Sequence, residues 1–209
     1  TQLYQSLANN GETKALHTVV AVTDSQDQTY YGYNKLPVQA ISTGAAYLTK
    51  YAMTQVTKTG TAKSLRWKNK GKVLAGKTGT TDDLRDSWYA GFDNNETTVV
   101  WLGRDDNKPT GLTGSTGALT VYSDFVKQRG GVSLSLRKPK EVITGYADKI
   151  SGVAVEKGCN ETVSVPVLAS MWPKNLTCGG TSKPSNKDKQ YAKKPQKKSV
   201  FDDFFELFK

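Results

Sequence analysis

Residues Gly71 to Thr81 read GKVLAGKTGTT, and two unrelated catalytic patterns overlap in them. Gly71 to Thr78 fits G-x-x-x-x-G-K-[ST], the loop that cradles phosphate. Lys77-Thr78-Gly79 is also K-T-G, in which a strand at the rim of a cleft carries a lysine toward a substrate. KTGT has already occurred once, at Lys58 to Thr61. Which of these stretches is chemistry decides the fold.

A phosphate loop needs a buried strand before its first glycine and a helix after its lysine, with the helix N-terminus facing the anion. The preceding residues, SLRWKNK, are polar and cationic, and TGTTDDLRDSW is a poor helix start that sets acids beside the supposed phosphate. A K-T-G strand needs only a strand, and VLAGKTGT supplies one. Two further β-like runs follow, DSWYAGFD and TTVVWLGRD, joined by TDDLR and NNE. Those connections are too short for crossover helices, so the three runs predict an antiparallel meander. Val99 and Trp101 face one side and Val100 and Leu102 the other, so helices are expected over both faces. Lys77 then projects a cation toward a substrate carboxylate. Thr78 and Thr80 share a strand face, Gly79 puts no side chain in a ligand's way, and the Thr80 N–H can donate to a developing oxyanion.

Working outward, TQLYQSLANNG reads as a helix closed by Gly11. HTVVAVTD and QTYYGYN flank a polar turn and predict a hairpin, with His17 on the strand surface and without a role. Behind Pro37 the spacing of Val38, Ile41, Ala45, Leu48, Ala52 and Val56 predicts an amphipathic helix that ends in the first KTGT. Lys58 suits the last turn and Gly60 a left-handed stop, which makes this copy a helix terminus. Downstream, ALTVYSDFVKQ predicts a helix closed by Gly130 and Gly131, a cover for one sheet face. KEVITGY, SGVAVEKG and TVSVPVLA then suggest a small β-rich module. The expected organisation is a body over 1–130, that module over 131–180, and a disordered basic tail over 181–209. The tail ends in Phe201, Phe204, Phe205 and Phe208, spaced as one face of a short docking helix.

The net charge of +10 invites a nucleic-acid partner, but Thr181 to Ser199 hold seven Lys against one Asp, six of those ten charges. The remaining body is mildly basic and has no Arg-rich helix to read bases, so no nucleic acid is expected. Cys159 and Cys178 are two buried thiols or a disulfide; Gly- and Asn-rich surroundings favour the bridge. Two cysteines without a second pair make no zinc site, and no metal or cofactor is expected. No run of 18 apolar residues occurs, and the chain opens without Met, which suggests an excerpt of a longer protein.

The run AGKTGTTDDLRDSWYAGFDNNETTVVWLGRDDNKPTGLTGSTGALTVYSDFV resembles the C-terminal half of the transpeptidase domain of class A penicillin-binding proteins, the bifunctional cell-wall synthases. KTGTT, DSWYAGF, the WLGRD strand end and the small-residue loop before the last helix carry the likeness. The Gram-negative 1b type resembles it most, with a two-cysteine module and a polar tail after the last helix. The resemblance implies an α/β fold of the α+β type, with an antiparallel sheet under helical cover. It also implies a serine acyltransferase that crosslinks peptidoglycan stem peptides through an acyl-enzyme and reacts with β-lactams. Lys77 and Thr80 take catalytic roles, and Lys77, Thr78, Gly79 and Thr80 hold the substrate. The intact protein is expected to be single-pass anchored at the periplasmic face of the inner membrane. There it would polymerise lipid II and meet an outer-membrane lipoprotein activator. The family's S-x-x-K and S-x-N motifs are expected upstream of Thr1. The one S-x-x-K here, Ser135 to Lys138, is followed by Pro139 and suits no catalytic helix. A serine β-lactamase or carboxypeptidase of the same fold, or a non-enzymatic envelope module, are the alternatives.

Overall fold

The computed structural model describes residues 1–181, so the Phe-rich end and all of the basic tail except Thr181 lie outside the described residues. Helix α1, Gln2–Ala8, is followed by Gly11 at φ 95°, the left-handed stop expected there. Strand β1 is Glu12–Thr13. Strands β2, Ala21–Thr23, and β3, Thr29–Gly32, form the expected hairpin, its turn held by Asp24 accepting from the Gln26 and Gln28 amides. His17 is not on a strand. It lies in the irregular segment before β2, stacked on Tyr33 with ring centroids 3.6 Å apart.

The second helix starts later than the apolar spacing predicts. Val38 and Gln39 form β4, which pairs with β1, and α2 runs Thr43–Lys58. Ser42 fixes that start, its hydroxyl accepting from the Ala45 amide at 3.3 Å. The buried face reads Gly44, Ala46, Tyr47, Lys50, Met53, Thr54, Val56 and Thr57; of the predicted stripe Val56 is buried as expected, while Ala45, Leu48 and Ala52 are half-buried. Periodicity misplaced the stripe because polar residues share it: Lys50 is buried with its amine bonded to Asn10 Oδ1 beyond α1. Gly60 does not adopt the left-handed conformation expected of it. Thr59 is the cap, and Gly60 instead closes against Val56, where an added Cβ would sit 3.0 Å from the backbone.

The polar stretch after α2 contains a short helix, α3, Ser64–Lys68, anchored by fully buried Leu65. Strands β5, Ala75–Thr80, β6, Ser87–Phe92, and β7, Thr97–Leu102, then form the antiparallel meander in the order β5-β6-β7. Only a three-residue 3-10 turn, Asp82–Leu84, follows β5, so no helix stands where a phosphate loop needs one. Strand alternation sorts the sheet into two faces. Tyr89 and Val100 face α4, Ala118–Arg129, where Leu119, Tyr122 and Val126 complete the main core with Val56, Leu65 and Leu74. Ala75 and Phe92 face the other way and pack with Leu7, Met53 and Leu134. That second cover stops short. Trp88 and Trp101, 41% and 48% exposed, leave the far end of this face open, so the expectation of helices over both faces holds for one face and part of the other.

Beyond α4, which Gly130 ends at φ 84°, the chain passes the end of the sheet, where the Asn94 amide donates to Val132 O and the Leu134 amide to Val73 O. Strands β8, Val142–Asp148, and β9, Thr162–Leu168, form a long antiparallel hairpin, with Ala154 bridging to Ala147. Cys159 and Cys178 are joined in a disulfide that ties its loop to β10, Leu176–Thr177, the partner of β11, Gly180–Thr181. The hairpin seats on the start of α2, where a Cβ on Gly44 would lie 2.6 Å from Leu168. The architecture is thus a mixed α/β fold of antiparallel sheets with helical cover.

Candidate functional site

Strand β5 is an edge strand, and its open side has a fixed chemistry. The Thr81 amide donates to Asp86 O, next in register to the Thr80 and Ser87 pair. Alternation along an antiparallel ladder then turns the amides and carbonyls of Lys77 and Gly79 toward β6 and those of Thr78 and Thr80 outward. Two bonds confirm the alternation: outward carbonyls accept from Thr57 Oγ1, at Leu74 O and 2.6 Å, and from Lys77 Nζ, at Thr78 O and 2.8 Å. The C-terminal half of α2 therefore runs along the outer edge at Leu74. Past the end of α2, that edge carries the Lys77 ammonium and the outward amides of Thr78 and Thr80, with the Thr78 hydroxyl buried beside them. Together these are a surface complementary to an anion lying along the strand.

Each member is held from behind. Lys77 is half-buried, and loss of hydration holds its amine below the usual lysine pKa. Thr78 is buried, and its Oγ1 lies 2.8 Å from Oγ1 of Thr61, in the first KTGT. Gly79 leaves a Cβ position 3.2 Å from Trp88 Cβ, so its smallness also lets the two strands meet closely. Thr80 Oγ1 accepts from the Gly114 amide at 2.8 Å. Gly114 presses on the strand so closely that a Cβ there would lie 2.6 Å from Gly79 O and 2.8 Å from Trp88 O. Ser87 locks the same loop, donating to Thr113 O and accepting from the Ala118 amide, both at 2.8 Å.

Other sequence candidates fall elsewhere. Lys58 is exposed at the end of α2 and lines a cleft with Tyr51, Arg66 and Lys72. Another cleft lies among Gln5, Asn10, Asp93 and Leu134, and neither includes Lys77 to Thr80. Ser135 is exposed in an irregular segment, not at the head of a helix. Among the described residues no group of three or more His, Cys, Asp or Glu side chains could hold a metal ion, and no helix is long and apolar enough to cross a membrane.

Three supporting residues escaped the sequence. Thr61 was hidden because its partner is set by tertiary contact. Gly114 read as one of several glycines in a loop, although the alternation of small residues there was a signal of close approach. Asp93 looked like an ordinary turn acid. Its buried carboxylate accepts from the amides of Asn95, Glu96 and Val132 and pairs with Arg129 at 2.6 Å. Burial alone would raise its pKa, but those amides and Arg129 together hold it below the usual carboxylate range.

This geometry accompanies clear relatedness. Residues 1–120 match the family described as the penicillin binding protein transpeptidase domain. Penicillin-binding protein 1B of Vibrio cholerae is 41% identical over 167 residues, covering 79% of this chain and 21% of that protein. Penicillin-binding protein 1B of Haemophilus influenzae is 36% identical, covering 97% of this chain and 25% of its own length. The chain thus spans about a fifth to a quarter of these relatives. Among solved structures, penicillin-binding protein 1A from Haemophilus influenzae superposes with a TM-score of 0.72 at 20% identity, over 84% of this chain and 32% of that one, a likeness of fold. The chain belongs to the penicillin-binding protein transpeptidase family, among the class A proteins of the 1B type.

Proposed function

We propose that the outer edge of β5 is the substrate-holding wall of a D,D-transpeptidase active site in a peptidoglycan synthase. Lys77 and Thr78 hold the terminal carboxylate of a stem peptide or the carboxylate of a β-lactam. The Thr80 amide donates to the oxyanion as a serine attacks the penultimate D-Ala carbonyl. Terminal D-Ala leaves, and an amine of a second stem peptide resolves the acyl-enzyme. The observation that carries this reading is the convergence of one ammonium, one hydroxyl and outward amides on a strand edge that no other strand pairs among the described residues. The nucleophile comes from outside these residues, since no S-x-N occurs in the chain and its one S-x-x-K is misplaced. On the same basis we propose glycan polymerisation from lipid II, membrane anchoring, a periplasmic site of action and a lipoprotein activator for the full-length protein. We also propose division into a body over 1–130, a β-rich module over 131–180 and a tail.

Labelling of the full-length protein with fluorescent penicillin tests this. Lys77→Ala is expected to reduce labelling at least about 100-fold, the scale of losing a transition-state charge contact. Lys58→Ala is expected to label like the parent. Equal losses at the two lysines would refute the assignment of the second KTGT.

A further inference from the structure

The first KTGT ends a helix, yet its last residue touches the middle of the second. The contact between the hydroxyls of Thr61 and Thr78 is built from rigid parts. Thr57, the penultimate residue of α2, bonds Leu74 O just before β5, and the Ala62 amide donates to Val56 O at 3.2 Å. Ala62 and Leu65 are fully buried on either side of the next turn, and Gly60 is closed against Val56. Residues 59–62 therefore cannot swing away from the strand without opening the main core.

Hydroxyl chemistry makes the direction of this bond matter. Each threonine hydroxyl has one proton and two acceptor lone pairs. If Thr78 gives its proton to Thr61, only lone pairs remain to face the open edge, and they repel an anion. If Thr61 gives its proton to Thr78, the Thr78 proton is left to donate outward. A carboxylate drawn to the edge by Lys77 selects the second arrangement.

We propose that Thr61 is a positioning residue for ligand recognition: it donates to Thr78 Oγ1 and so turns the Thr78 hydroxyl into a donor for the carboxylate of an incoming acyl donor. This rests on the function proposed above for β5. It gives the repeated motif a physical sense, since the first copy supplies the hydroxyl that orients the second. Lys58 in the first copy takes no part.

The test compares acylation rates of the full-length protein by a β-lactam with a free carboxylate and by its methyl ester, which keeps the reacting ring but cannot accept as an anion. Thr61→Val keeps the shape and removes the hydroxyl, and is expected to slow the acid about tenfold while leaving the ester within about twofold. Thr61→Ser is expected to restore the parent rate. Thr78→Val is expected to show the same selective loss, and adding Thr61→Val to it to cost nothing more. Thr61→Ala serves if Thr61→Val fails to fold, because it leaves space instead of setting a methyl against Thr78. Equal slowing of acid and ester, or a second tenfold loss on the Thr78→Val background, would reduce Thr61 to packing. Impaired Thr78→Val with unimpaired Thr61→Val overturns the role of Thr61 alone. Parent-like Thr78→Val and Lys77→Ala overturn the reading of the strand itself.

Discussion

Replacing Gly114 by alanine is the sharpest structural test of the wall. Gly114 lies on the strand pair, and its missing side chain would meet Gly79 O at 2.6 Å, Trp88 O at 2.8 Å and Gly79 N at 2.9 Å. All three are backbone atoms of a paired ladder, so none can rotate aside. Relief must come from the loop, which lifts off and loses the Gly114 amide bond to Thr80 Oγ1. Overpacking costs about 1–3 kcal/mol and the lost hydrogen bond about 1 kcal/mol, so the variant should be destabilised by about 2–4 kcal/mol. The effect on chemistry should be larger, because a shift of about 1 Å in a positioning group costs on the order of 100-fold in rate. The assay is the time course of fluorescent penicillin labelling of the full-length protein, with thermal unfolding in parallel at a temperature where both proteins are folded. Gly111→Ala is the control from the same loop. Gly111 sits at φ 73° with nothing within 4 Å of its Cβ position, so the change adds only backbone strain of about 1 kcal/mol and should label within about threefold. If Gly114→Ala melts and labels like the parent, the loop does not brace Thr80 and the site is not built as described.

Asp93, Tyr89 and the disulfide give the remaining outcomes. Asp93→Asn removes the charge that unites Arg129 with the amides of Asn95, Glu96 and Val132, and should cost about 3 kcal/mol by thermal or urea unfolding; a loss under about 1 kcal/mol would show the clamp to be unimportant. Because the folded pKa of Asp93 is depressed, its stabilisation is complete above the unfolded value of about 3.9 and fades as pH falls through the folded one. Urea midpoints of the parent and of the Asp93→Asn variant should therefore converge as pH falls through that range, with the gap widest above about pH 5. Tyr89 is fully buried and its hydroxyl has no hydrogen-bond partner among the described residues, so Tyr89→Phe should raise the melting temperature, by about 1 kcal/mol of stability, and a loss instead would reveal an unrecognised bond. Replacing Cys159 and Cys178 by serine should cost the β8–β9 hairpin about 3 kcal/mol, read as faster amide exchange over β8 and β9, while penicillin labelling stays near the parent level.

Much of the fold was legible because local signals and packing agree. The meander could be read from three β-prone runs with connections too short to cross over, and α4 from its apolar face and Gly130. The start of α2 was not legible, since Val38 continues the apolar spacing while Ser42 decides where the helix begins. Short α3 was lost in a stretch dominated by lysine, where Leu65 is the one buried apolar side chain. The open end of the Trp88 and Trp101 face marks the limit of inference from apolar residues: a strand apolar on both faces shows what would favour cover, not where cover ends. At the site, motif spacing singled out Lys77 to Thr80, but the supports at Thr61 and Gly114 lie 17 and 34 residues from their partners and leave no periodic trace.

The edge position of β5 joins these observations. A central strand commits every amide and carbonyl to its neighbours, whereas an edge strand keeps half of them, and those groups are a liability unless something is meant to pair with them. Here the edge is treated unequally along its length. Near Leu74 it is closed by α2 through the Thr57 hydroxyl, while at Thr78 and Thr80 the outward groups are braced from the sides by Thr61 and Gly114 instead of being covered. Under the function proposed for β5, bracing of this kind stabilises the geometry of donors while leaving their bonds to be made by a ligand. That is what the proposed oxyanion and carboxylate site requires, since donors fixed before the ligand arrives need no reorganisation during reaction. The same logic accounts for the two glycines that flank Thr78 and Thr80 in the fold: Gly79 and Gly114 let backbone meet backbone, so the brace is made of ladder and loop rather than of side chains that could rotate out of place.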